Sequence, residues 1–461
     1  MSEQQPENLS IGRNLKISLF HLGSGMADVM ATGIWNRIMI SDLGFSATPI
    51  GLLVSLRYFL APLGVWAGRI SDRQAIGGYR RLSWIWTGRL MMVISLLMLG
   101  LSTANLARGA EATPFVWIAI TLALLLFSLG NALSGSTFLA LVYDRSPEHQ
   151  RGRAVGIVWT FLLLGFTIGG ILFGVMLPSS ERSPDHQMTF SPDTLQNLFV
   201  ASALILGGLW FFSLLGEEQR SRGAALRKSE AEYSTSIRAD LKQVWQNRQT
   251  RYFFWFLALS MLFAFAQDLI LEPFAGDVFK MDAAHTTRFA GYWGSMAILG
   301  TLVFLWLSRR YKRLTNTAMS YVGVAFLVLT FVVFSVSALA QIRGLVTIGL
   351  ILLGFGLGLW NVGTLGLMMD MSPDGRAGTF LGFWTLTVTL ARGIGVSGGG
   401  IVRDLVLQAT GNLPLSYGAV FILEVIGLSI SLWMLSRVNV KEFKGESVPA
   451  DAEKVFAGAM D

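Results

Sequence analysis

Ionisable side chains inside long apolar segments are the residues of this sequence best placed to do chemistry, because a charge in hydrocarbon is costly and persists only with a partner or a task. They are His21, Asp28, Arg37, Arg57, Asp268, Glu272, Arg392 and Glu424. On the first apolar segment, His21, Gly25, Asp28, Thr32 and Trp35 recur at helical spacing, which sets an imidazole and a carboxylate on one face. Arg57 and Arg392 supply cations in the layer of Asp28 and Asp268, so ion pairing is the first reading of the set and proton coupling through the acids the second. His21 is the one histidine inside an apolar segment. A neutral imidazole there can hydrogen-bond or ligate a metal, including the Mg of a chlorin.

Aromatic residues are the other candidates. The chain has 31 Phe and 14 Trp. Many of the Trp suit membrane–water interfaces. Trp159, Trp293, Trp360 and Trp384 instead fall within apolar segments, where they either pack or stack on a flat apolar ligand. Phosphate-loop, zinc-protease and Ser–His hydrolase patterns are missing from the sequence. The absence of Cys excludes disulfides, Cys-ligated zinc, iron–sulfur clusters and thiol catalysis. The reading is therefore a protein that is not an enzyme and carries no metal or nucleotide cofactor.

The elements that position these residues follow from composition. Of 461 residues 52% are hydrophobic and 14% charged, with a mean hydropathy of +0.54. A soluble protein has about 25% charged residues. About twelve spans of about 20 residues account for the apolar content, which predicts an all-α integral membrane protein. The first segment is too long for a signal peptide. An even number of spans puts both termini on one side, and most of the Lys and Arg fall there, which marks it as cytoplasmic. The net charge of +7 then reflects inner loops, and no nucleic-acid partner is expected. The predicted organisation is a six-helix half over 1–216, a cytoplasmic linker over 217–250 and a second half with a tail over 251–461. Ile237, Leu241, Val244 and Trp245 give the end of the linker an amphipathic helical pattern.

The halves repeat. Leu139, Leu141, Asp144, Ser146, Pro147, Gly152 and Gly156 align without a gap on Leu365, Leu367, Asp370, Ser372, Pro373, Gly378 and Gly382. In a second register Asp28, Gly51, Ser55, Trp66 and Arg69 align on Asp268, Gly291, Ser295, Trp306 and Arg309. The turns Asp144–Pro147 and Asp370–Pro373 read as helix-end caps or as a gate across the pseudo-twofold axis. After the second span, Gly68-Arg69-Ile70-Ser71-Asp72-Arg73 followed by Arg80-Arg81 resembles the signature loop of the major facilitator superfamily, in which an Asp pairs with basic residues to latch one side. The second-half counterpart, Ser308 to Arg313, lacks the acid.

Ile17 to His21, Gly33 to Gly44 with its Asn36-Arg37-Ile38-Met39-Ile40 run, Arg57-Tyr58-Phe59 and Ala61-Pro62-Leu63-Gly64 resemble the PucC/LhaA family, a branch of the major facilitator superfamily. That resemblance runs over nearly the whole chain. It implies a twelve-helix fold in two pseudo-symmetric halves, in the inner or intracytoplasmic photosynthetic membrane of a phototrophic bacterium. It implies a role in assembling light-harvesting antennae, by delivering bacteriochlorophyll as cargo or by chaperoning polypeptides. The implied partners are antenna alpha and beta polypeptides, the pigment synthase and insertion machinery, and membrane lipid. A proton-coupled transporter of a small amphipathic solute and a structural accessory subunit of a photosystem are the competing readings. His21 with Trp159, Trp293, Trp360 and Trp384 is the candidate pigment site.

Overall fold

The computed structural model describes residues 9–73, 76–109, 111, 113–177, 191–218, 245, 247–311, 314–372 and 377–447. The first span is one continuous helical run. It begins with α1 (Ile11–Asp28), capped by the Ser10 side chain on the Arg13 amide, and continues through π-helical Val29–Ile34, a turn of α-helix at Trp35–Arg37 and π-helical Ile38–Asp42. The second span comprises α2 (Ala47–Phe59) and α3 (Ala61–Arg73). It breaks at Leu60 because Pro62 has no amide hydrogen for the α ladder. The first half is completed by α4 (Leu82–Ala107), α5 (Pro114–Arg145), α6 (Arg151–Met176) and α7 (Pro192–Leu214).

In the second half α8 (Arg248–Ala264) gives way to a 3-10 turn at Ala266–Leu269 and then α9 (Leu271–Phe279). There follow α10 (Ala283–Thr287), α11 (Phe289–Arg310), α12 (Asn316–Ala340), α13 (Gly344–Asp370), α14 (Ala377–Thr410), α15 (Leu413–Ser436) and α16 (Val440–Ser447). Among the described residues, eleven helical stretches are long and apolar enough to cross a membrane. The run Ile11–Asp42, with more charges and a mixed helical geometry, occupies the position of the first span.

The two spans that open the halves depart from α geometry at corresponding levels, beside Asp28 and beside its repeat partner Asp268. Irregular backbone at this depth is tolerated where it is enclosed by protein or lines a cavity. Here the Asn36 side chain donates to the carbonyl of Leu269 at 2.8 Å, satisfying a group that the interrupted ladder leaves free. Small residues set the helix spacing. A Cβ on Gly25 would meet the Leu162 carbonyl and the Gly165 backbone, so α1 and α6 touch main chain to main chain. The glycine run of α14 lies as closely on α8, with Gly395 over Leu262 and Gly399 over Ala266.

The face carrying Leu9, Asp144 and Asp370 is called proximal below, and the face carrying Asp42, Asp277 and Asp404 distal. The halves meet where α6 packs on α11, Gly170 against Gly291, and where α2 packs on α14, Ala47 against Gly400. Towards the proximal face Gly152, Gly156 and Gly382 have open space where a side chain would project.

Candidate functional site

At mid-span two ion pairs face one cavity. Arg57 Nη1 lies 2.6 Å from Asp28 Oδ1, and Arg392 Nη2 lies 2.8 Å from Asp268 Oδ2. The pairs touch across the half interface: the Arg57 and Arg392 guanidiniums stand 4.6 and 5.2 Å from the Tyr58 ring, and the Tyr58 hydroxyl accepts from Arg57 Nη2 at 2.5 Å. Gln267 Nε2 donates to Asp268 Oδ1 at 2.8 Å, and Arg392 also lies 3.9 Å from the Phe265 ring. The cavity has a volume of about 60 Å³ and is bordered by these charges with Glu272, Phe166 and Trp293. A drug-sized ligand needs about 300–1,000 Å³. In this conformation the central space therefore admits water-sized or ionic species, and a tetrapyrrole is excluded from it. Glu424 is wholly buried, with the Gln267 backbone as its polar neighbour.

The second constellation, at the distal face, is one that sequence reading missed except for Arg37. Arg37, 1% exposed, pairs with Asp42 at 2.9 Å and donates to the Met281 carbonyl at 2.9 Å. Gly276 leaves the space its guanidinium fills. Asp277 accepts from Ser41 Oγ at 2.5 Å and Tyr417 OH at 2.6 Å and pairs with Arg403 at 3.2 Å. Arg403 also holds Asp404 at 2.8 Å. The Asp404 carboxylate in turn accepts from the amides of Ala47 and Thr48 and from the Thr48 hydroxyl, at 3.1, 2.7 and 2.7 Å. This network ties the first two spans to α9, α14 and α15. Among the described residues, polar contacts between the halves concentrate here, on the distal side.

The third constellation surrounds His21. Phe138 stacks on Phe20 at 3.9 Å and on His21 at 4.9 Å, and Trp159 stands edge-on to His21 at 5.8 Å. On the other side of Phe20 the buried Arg89 guanidinium lies 4.0 Å from the Phe20 ring and 4.6 Å from Trp210. The result is an aromatic ladder through the first half, with a cation inside it. His21 is 8% exposed and its Nδ1 is buried without a hydrogen-bond partner, whereas Trp159 is 48% exposed.

The other candidate tryptophans do not converge on His21. Trp293 packs on Phe166 at 4.9 Å beside the central cavity. Trp360 is buried near Phe265, and Trp384 is buried against Phe253, Phe380 and Phe383. The sequence set of five thus divides among several places.

On the proximal face Asp144 receives Arg80 at 2.7 Å and Arg81 at 3.1 Å. Arg81 also donates to Ser71 Oγ at 2.6 Å, and Ser71 to the Gly68 carbonyl at 2.7 Å. Glu218 accepts from the amides of Arg80, Arg81 and Leu82. The side chains of Asp72 and Arg73 lie outside the described residues, as do Pro373, Ile237, Leu241 and Val244. Pro147 precedes a short 3-10 turn and its carbonyl accepts from the Gln150 amide at 2.8 Å. Asp370 accepts from Asn316 Nδ2 at 2.9 Å. These contacts brace each half internally.

Among solved structures the chain is similar to a bacterial homologue of the human lysosomal transporter Spinster, in its inward-facing and unoccupied conformation. The TM-score is 0.70 at 14% identity, over 95% of this chain and 98% of that one. It is also similar to a D-xylose–proton symporter, with a TM-score of 0.64 at 14% identity over 94% and 98%. The fold is thus that of the major facilitator transporters, in a multi-pass membrane protein. Among curated proteins it is 30% identical to Protein PucC of Rhodovulum sulfidophilum over 88% of both chains. It is 28% identical to Protein PucC of Cereibacter sphaeroides over 91% of this chain and 90% of the relative. A Rhodobacter capsulatus protein named bacteriochlorophyll synthase 44.5 kDa chain is 26% identical over 85% and 87%. The model of the family described as PUCC protein matches residues 34–443, and the chain belongs to that family.

Proposed function

We propose that the protein is an assembly factor for photosynthetic light-harvesting antennae. In this reading it delivers bacteriochlorophyll to antenna alpha and beta polypeptides, or chaperones them, in a bacterial inner or intracytoplasmic membrane with both termini cytoplasmic. The observation that carries the reading is His21: an imidazole set in an aromatic stack with Phe138, beside the exposed Trp159. A chlorin is flat and apolar with a Lewis-acidic Mg at its centre, so stacking residues and one nitrogen ligand suit it. The central cavity is too small for it, so the cargo is received on the proximal side of that cavity. The name of one relative, bacteriochlorophyll synthase 44.5 kDa chain, supports pigment handling. The one name that contains a synthase is that of a chain, and the groups at these sites stack, ligate and pair charges, so catalysis of bond formation is left to the partners.

The test is pigment retention. Protein purified from cells that make bacteriochlorophyll is expected to carry pigment by absorption. His21→Phe keeps the apolar volume and removes the lone pair, so pigment should fall severalfold while the protein still inserts; His21→Asn should lie between. Wild-type pigment in His21→Phe sinks the ligand assignment, and absence of pigment from the wild-type protein sinks the delivery reading.

A proton-coupled transporter is the second reading, favoured by the acids Asp28, Asp268 and Glu272 around one small cavity. It requires acidification of proteoliposomes to move with a solute, and Glu272→Gln to abolish that movement.

A further inference from the structure

We propose that a groove on the proximal face of the second half holds the headgroup of an anionic phospholipid, a site independent of the pigment reading. The groove, of about 710 Å³, is formed by the first turns of α8 and α12, the end of α13, and the junction of α15 with α16. Three cations line it: Arg248, Arg437 and Lys441. Among the described residues none of the three forms an ion pair with a carboxylate. Arg248 is turned on Tyr252, donating to its hydroxyl at 3.2 and 3.4 Å. Arg437 lies 5.3 Å from the Trp433 ring. Two acids share the groove. Asp370 accepts from the Asn316 side chain, and Glu442 stands on α16 beside Lys441. The lining therefore has a positive surplus, with the Thr315 and Thr317 hydroxyls available as further donors.

A lipid, rather than a free anion, follows from what adjoins the groove. Trp433 is 52% exposed, and Ile430, Ile426 and Ile422 continue from it at helical spacing along α15, exposed by 43%, 51% and 39%. An apolar outward strip thus runs from the charged groove down the flank of the helix. The occupant that satisfies both has an anionic head and apolar tails. A tryptophan carrying a cation at the boundary of the strip marks the level of the headgroups.

The test uses the full-length protein in detergent, with native mass spectrometry comparing phosphatidylglycerol and phosphatidylcholine. The wild-type protein is expected to retain phosphatidylglycerol preferentially. Each cation near an anionic lipid contributes about 1 kcal/mol, so Arg437→Gln with Lys441→Gln should weaken phosphatidylglycerol binding about 30-fold. The charge-keeping pair Arg437→Lys with Lys441→Arg should retain it. Arg309→Gln with Arg310→Gln removes two exposed cations from the same face outside the groove and should change binding less than about twofold. Arg248→Gln alone is a milder variant whose effect, about fivefold, is read if the double variant does not fold. The proposal is overturned if the groove variants bind phosphatidylglycerol like the wild type, if the Arg309 and Arg310 control loses as much, or if millimolar inorganic phosphate displaces the lipid completely.

Discussion

Asp404 caps a helix in the other half of the protein: its carboxylate accepts both the backbone amide and the hydroxyl of Thr48 at 2.7 Å. An N-cap carboxylate satisfies free amides and meets the positive end of the helix dipole. Because this cap is supplied across the half interface, α2 is held in place only while the distal face is shut. Asp404→Ala should cost about 1–2 kcal/mol for the lost cap, and more because Arg403 loses a partner. The readout is a lowered thermal midpoint together with opening of the distal face. The chain has no Cys, so a cysteine at Ala284, buried where α10 meets α6, reports that opening by reaction with a membrane-impermeant maleimide. Unchanged labelling in Asp404→Ala would show that the distal network does not hold the halves together.

Asp28 and Arg57 form the mid-span pair of the first half, with the guanidinium buried and the carboxylate 31% exposed. Asp28→Asn leaves a guanidinium that is 7% exposed without its anion, a change expected to cost about 3–5 kcal/mol. Arg57→Met in the same chain should recover much of that loss, since an apolar pair of similar volume avoids the desolvation cost. Additive losses in the double variant, measured by thermal unfolding, would mean that the two residues are not coupled.

Much of the fold was legible in the sequence because the signals were long: apolar runs of membrane-spanning length, and a repeat carried by Asp, Ser-Pro and Arg. The mid-span charges were legible for a different reason, that each stands alone in an apolar window. The distal network was not. Asp42 sits before Leu43-Gly44 and reads as the start of a loop. Arg403 and Asp404 are adjacent, opposite in sign and near the end of a span, so they read as solvated. Only the approach of α2 and α9 buries them. Arg89 was overlooked because one cation barely lowers the hydropathy of Leu82–Ala107. The rings that hold it, Phe20 and Trp210, lie far from it in the sequence, so no local pattern announces the contact. For the tryptophans the sequence defines position along each helix but not the direction of the ring, and this is why Trp360 and Trp384 belong to packing.

Glu424 tests the cost of an unused charge. It is 0% exposed, no cation pairs with its carboxylate among the described residues, and the Gln267 backbone is its polar neighbour. Replacing it with the isosteric Gln removes a potential charge without changing volume, so stability should be unchanged or rise by up to about 1 kcal/mol. A loss of more than about 2 kcal/mol would reveal an interaction of the carboxylate that its burial conceals.

The acids Asp144 and Asp277 offer the last contrast, because they bear on different faces though both bind arginine. Strictly, the repeat partner of Asp144 is Asp370, yet the closest functional match to the Asp144 cluster is the distal one: an acid receiving arginine near a helix end. Burial separates them. The Arg80–Asp144 pair is 47% and 37% exposed, although Arg81, the second partner of Asp144, is 6% exposed, whereas Arg403 and Asp277 are 6% and 10% exposed. An exposed pair contributes about 0–1 kcal/mol and is screened by salt. Breaking a buried pair costs about 3–5 kcal/mol and is screened far less. Arg80→Gln should therefore lower stability by less than about 1 kcal/mol, by an amount that vanishes in about 1 M salt. Asp277→Asn should lower it by several kcal/mol at any salt and raise labelling of a cysteine at Ala284. Thermal melts of both variants across ionic strength decide the matter. Equal costs would mean that the proximal loop bears as much of the closure as the distal network does.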